Sequence, residues 1–202
     1  MSRPVAIVDT SFLVYCTLLK EVDLLNKIRI LFDHILLPKE IIKEFTPQEN
    51  RPENKVRHQI LGQIEINQGF YRLCTSLDHI IYQELIKEKT IDAGEAEVIS
   101  QSQRRSVRFI LMDEKRALKN ISGNFSHIYF YNTITIIAVL ELQGFLPNYN
   151  ECIIGLHSIR KFNSQDLRDA FKKGMNHTQR NLSKKELSEK TSLKKILNTH
   201  KS

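Results

Sequence analysis

The chain has 202 residues, 41% of them hydrophobic, which is enough for one domain with a sizeable core plus a tail. No apolar run is long enough to cross a membrane, and the first four residues lead straight into a strand, leaving no room for a signal peptide. Three scattered cysteines point to reduced thiols in a cytoplasm, and seven histidines without paired ligand spacing weigh against zinc. A net charge of +7 suits a polyanionic partner, nucleic acid being the commonest, although many basic proteins have no such role.

Val5 to Val8 is an unbroken, mostly β-branched run, the pattern of a strand buried on both faces. It stops at Asp9, and Thr10 and Ser11 are good helix N-caps. Phe12, Leu13, Cys16 and Leu19 then share a helical face, and a short helix follows over 24–32. A second strand is expected over 34–37, closed by Pro38, with a helix over 40–45 that ends before Pro47 and Pro52. Helices follow over 55–69, 77–87 and from about 92 to 105. A third strand over 107–112 stops at Asp113, before a helix over 114–121. The last strand covers 127–131. Asn132 and Thr133 cap a helix over 134–143, which Gly144 ends as a C′ residue. Short helices near 151–156 and 165–173 complete the domain, and Ser164 is a candidate cap. Residues 174–177 read as a linker, and 183–197 as a basic amphipathic helix or a disordered tail.

Strands alternating with helices indicate a parallel sheet, and right-handed crossovers give the spatial order second, first, third, fourth. The switch point then falls between the first and third strands, so Asp9 and Asp113 converge on the crevice where such sheets bind ligands. Asp after a strand is also an ordinary helix cap. Glu44 lies on the side of Ile41 and Phe45 and is expected to face inward. In Gly94-Glu95-Ala96-Glu97, helical phase turns Glu95 toward the core and Glu97 to solvent. Glu95 has a competing role, since Asp92-Ala93-Gly94-Glu95 has the form of a capping box.

Two carboxylates about 4 Å apart repel by about 4 kcal/mol at an effective dielectric near 20. Converging acids therefore need protons, Lys or Arg, or divalent cations to offset them. An all-oxygen site suits Mg²⁺ or Mn²⁺, ions that support in-line phosphodiester cleavage.

Four segments come in the order of a known family: Ile7-Val8-Asp9-Thr10-Ser11, Leu37-Pro38-Lys39-Glu40-Ile41-Ile42-Lys43-Glu44-Phe45, Asp92-Ala93-Gly94-Glu95-Ala96-Glu97-Val98-Ile99 and Ile110-Leu111-Met112-Asp113-Glu114-Lys115-Arg116-Ala117. With Gly144-Phe145-Leu146-Pro147 they make the chain resemble the PIN-domain nucleases, closest to VapC-like toxin ribonucleases with a Gly-Glu-x-x motif. The resemblance implies an α/β three-layer sandwich with a central, mainly parallel sheet of four or five strands. The nuclease domain would cover 1–173, with 174–202 as a basic tail. It implies a cytoplasmic, metal-dependent endoribonuclease acting on single-stranded RNA, with Mg²⁺ or Mn²⁺ as cofactor, often the toxin of a toxin–antitoxin pair. An antitoxin protein and a homodimer stay open as partners. Carried over residue by residue, the catalytic metal ligands are Asp9, Glu44, Glu95 and Asp113, with Glu97 as an alternative third acid. Lys115 and Arg116 would hold RNA, as would Arg104 and Arg105 unless they are only a solvated helix face.

Three other readings compete. A phosphatase or phosphotransferase would use Asp9 as nucleophile but usually wants a second Asp where Ser11 stands. A non-catalytic PIN-like module would bind RNA or a partner. A basic α/β domain with ordinary caps would do neither.

Overall fold

The structure, a computed structural model, describes residues 3–19, 22–45, 54–74, 77–87, 91–113, 125 and 127–198. The opening apolar run becomes β1 (Ala6–Val8), buried on both faces at the centre of the sheet. β2 (Ile35–Leu37) and β4 (Phe109–Leu111) pair with it on either side, and β3 (Tyr71–Leu73) and β5 (Tyr129–Tyr131) form the edges. All four pairings are parallel, in the order β3-β2-β1-β4-β5. The expected order of four strands is therefore observed, with one further strand added at the β2 edge.

Helices flank this sheet as the outer layers of an α/β three-layer fold. α1 (Thr10–Leu18) leaves β1 and packs with α4 (Asn54–Ile66), after the short α2 (Leu24–Lys27) and a 3₁₀ turn (Ile28–Ile30). α3 (Lys39–Phe45) follows β2, and α5 (His79–Ile86) lies against α6 (Ala93–Arg104), which covers β1 and β4. Every α6 residue from Gly94 to Ser102 is buried. The helix expected over 114–121 lies outside the described residues.

After β5, Asn132 caps α7 (Thr133–Leu142), and Gly144, at φ +80°, ends it as the C′ residue. α8 (Tyr149–Ile159) and α9 (Ser164–Thr178) follow, α9 capped by Asn163 rather than Ser164. The expected linker 174–177 is helical, the last turn of α9. A Cβ on Gly174 would stand 2.9 Å from Leu142 Cδ1, so its absence lets α9 lie close on α7 without displacing that side chain. α10 (Lys184–Thr191) and α11 (Leu193–Asn198) fold back onto the domain. Leu193 and Ile196 are buried, Leu193 N–H donates to Ser164 Oγ, Tyr149 Oη donates to Lys190 O, and Lys190 pairs with Glu141.

Candidate active site

β1 and β4 end side by side, and the acids collect at that edge. The Asp9 N–H donates to Leu111 O at 2.8 Å, continuing the ladder, and its side chain then turns to cap α1. Asp9 is the N-cap, not Thr10 or Ser11, because the helix begins one residue earlier than expected. Asp9 Oδ2 accepts from both the N–H and the hydroxyl of Ser11. Ser11 Oγ in turn accepts from the Asp113 N–H at 3.1 Å, so one hydroxyl ties the ends of both strands together. Burial pushes Asp9 up to about 6; the Ser11 bonds pull it down, and the charges of Asp92 and Glu44 push it further up.

Glu44 does not face inward as expected. Ile41 and Phe45, four apart, take the buried side of α3 and leave Glu44 exposed at the rim. It is nonetheless held, since the Thr10 hydroxyl donates to its Oε2 at 2.6 Å. Partial desolvation raises its pKa against the Thr10 bond, and the Asp92 and Glu40 charges add to the rise while Arg57 opposes it. A Cβ on Gly94 would lie 3.0 Å from Glu44 Oε1 and 3.4 Å from Asp92 Oδ1. Glycine thus leaves room for the Glu44 carboxylate beside the start of α6.

The capping box at that start is formed. The Glu95 N–H donates to Asp92 Oδ1 at 2.8 Å, and the Asp92 N–H to Glu95 Oε2 at 3.1 Å. Glu95 is buried, as helical phase requires. Glu97 does not turn to solvent: it is 3% exposed, and its two oxygens accept from the Lys39 and Glu40 N–H groups at 2.9 and 2.7 Å. The reason is that α6 has no solvent side along this stretch. Glu97 faces a second buried surface, the N-terminus of α3, whose unpaired amides and dipole favour a carboxylate.

The Asp113 carboxylate has partners different from those of Asp9. Its Oδ2 accepts from the N–H and hydroxyl of Thr133, and its Oδ1 from Arg160 Nη1. Its side chain is wholly buried, and that of Arg160 is 10% exposed. Burial raises the Asp113 pKa, opposed by Arg160 and Thr133, and the Asp113 charge adds to the burial that raises the Cys16 thiol. Arg160 also lies over the Tyr15 ring, its guanidinium carbon 5.4 Å from the centroid. No sequence motif marks Arg160. The only signal for it was the general demand of converging acids for a cation.

Among the described residues, no three His, Cys, Asp or Glu side chains form a group able to hold a metal ion. The donor chemistry still suits a hard divalent ion. Asp9, Glu44 and Asp92 are oxygen donors that repel one another across the crevice, and Glu95 adjoins them through Asp92. Lys115 and Arg116 lie outside the described residues. Arg104 and Arg105 end α6 at the opposite edge of the sheet from Glu95. There Arg105 joins His34, Arg108 and Phe109 around a pocket of about 460 Å³. The expectation that the Arg104–Arg105 pair adjoins the acids is corrected accordingly.

No curated protein and no solved structure matches the chain. A family model described as PIN domain matches residues 5–177, from β1 to the end of α9. PIN domains are generally nucleases that use divalent metals. The all-parallel sheet, the acids at the β1 and β4 ends and the extent of that match agree: the chain belongs to the PIN-domain family.

Proposed function

We propose that this PIN domain is a metal-dependent endoribonuclease that hydrolyses single-stranded RNA, and that it acts as the toxin of a toxin–antitoxin pair. The observation that carries the reading is the gathering of Asp9, Glu44 and Asp92 at the sheet's switch point, where burial, with a smaller push from the other two charges, holds Asp9 near 6. Asp9 and Glu44 would hold Mg²⁺ or Mn²⁺, and the Asp92–Glu95 pair at the start of α6 would have to shift toward the ion to supply a third carboxylate. Bound there, a divalent ion supplies an activated water and neutralises charge at phosphorus. Ser11 and Thr10 fix the carboxylates of Asp9 and Glu44 in advance. The exposed Lys184, Lys185, Lys194 and Lys195 on α10 and α11 would grip the RNA backbone.

The test is cleavage of labelled single-stranded RNA with Mn²⁺, using wild type, Asp9→Asn and Glu95→Gln. Cleavage by wild type that is lost in both variants is expected. No cleavage by wild type with any divalent ion overturns the reading. A second reading, a non-catalytic module that binds RNA or a partner, is favoured by one observation: Glu95, Glu97 and Asp113 are already engaged by protein groups. RNA binding without cleavage would select it.

A further inference from the structure

We infer that Arg160 is a cation built into the fold for Asp113, so that Asp113 takes no divalent ion while Arg160 is in place. This deepens the metal-dependent reading and rests on it only for what the wild-type protein binds.

The Asp113 side chain has no exposed surface, and its two oxygens are divided between partners within the chain. Oδ1 belongs to Arg160, and Oδ2 to the amide and hydroxyl of Thr133. Arg160 is fixed independently of Asp113. Its own N–H donates to Leu156 O at 2.8 Å, closing α8, and its guanidinium rests over Tyr15. An ion at Asp113 would have to expel this guanidinium from a site where it is 10% exposed, leaving a charge buried without its partner. The other half of the crevice is different. Asp9 and Glu44 are bonded there to the hydroxyls of Ser11 and Thr10, which carry no charge, and each feels the Asp92 carboxylate as repulsion, with Arg57 acting against it on Glu44 only as the smallest of the effects. One strand end is therefore neutralised by an arginine, and the other is the one that calls for an ion.

The experiment counts bound Mn²⁺ on the full chain, by calorimetry and by the electron spin resonance of free Mn²⁺, and follows the melting temperature. Arg160→Met leaves Asp113 uncompensated and is expected to bind one Mn²⁺ more than wild type, with a larger thermal response to Mn²⁺. Arg160→Lys keeps the cation and should keep the wild-type count. Should Arg160→Met not fold, the double variant Asp113→Asn/Arg160→Met removes both charges together and should bind Mn²⁺ with the wild-type count and affinity. An Arg160→Met protein that gains no ion, or a double variant that loses one, overturns the inference. A wild type that binds no Mn²⁺ defeats the metal-dependent reading instead, and the gain in Arg160→Met still decides the role of Arg160.

Discussion

Asp9 and Asp113 end adjacent parallel strands and share one serine hydroxyl, yet they live in opposite electrostatic circumstances. Asp113 is buried, at 4% exposure, with an arginine and a threonine on its oxygens. Asp9 is nearly as buried, at 7% exposure, but the charges around it are Asp92 and Glu44. Position on the sheet brings an acid to the crevice; what reaches it from the distant chain decides whether it serves the fold or a ligand. Substitutions should separate the two.

Asp113→Ala should have the largest effect. It leaves the Arg160 guanidinium buried without its partner and should cost about 3–5 kcal/mol of stability, read by urea denaturation. A loss below about 1 kcal/mol would place Arg160 among the weak surface pairs instead.

Asp9→Asn should act in the opposite direction. The folded-state pKa near 6 lies above the ordinary 3.8, so the folded chain holds the Asp9 proton more tightly than the unfolded chain. Its contribution is therefore fully favourable below about pH 4 and is lost as pH rises to about 6, a change of about 3 kcal/mol. Metal-free Asp9→Asn should be more stable than wild type by up to that amount at pH 8 and equal to it at pH 3.5. Greater stability of the wild type at pH 8 without metal would mean that Asp9 is compensated after all.

The two glutamates of α6 give the smallest pair of effects. Glu97→Gln weakens two charge-assisted bonds at the start of α3 and should cost about 2 kcal/mol. Glu95→Gln keeps an acceptor for the Asp92 N–H and should cost less than about 1 kcal/mol. The reverse order in denaturation would assign the anchoring role to Glu95.

The sequence carried much of this, unevenly. The alternation of strands and helices was enough to order β2, β1, β4 and β5, because each is an apolar run between helical patterns. β3 left no such trace: Tyr71 is buried but Arg72 and Leu73 are exposed, as an edge strand allows. The Asp92–Glu95 capping box was legible because its chemistry is local. Glu97 was misplaced because helical phase presumes a solvent face, which α6 lacks. The need for a cation near the acids was also legible, but its source, 47 residues after Asp113, depends on how α8 docks.

The central position of β1 also bears on synthesis. Its register partner Phe109 lies more than a hundred residues after Ala6, and Thr133 and Arg160 come later still. A growing chain that has exposed only Asp9 and Glu44 has neither the neighbouring strand end nor the groups that settle Asp113. The crevice is therefore completed late in translation, and a chain released early, before Arg160, lacks it. That order of assembly delays completion of the crevice until most of the chain has left the ribosome.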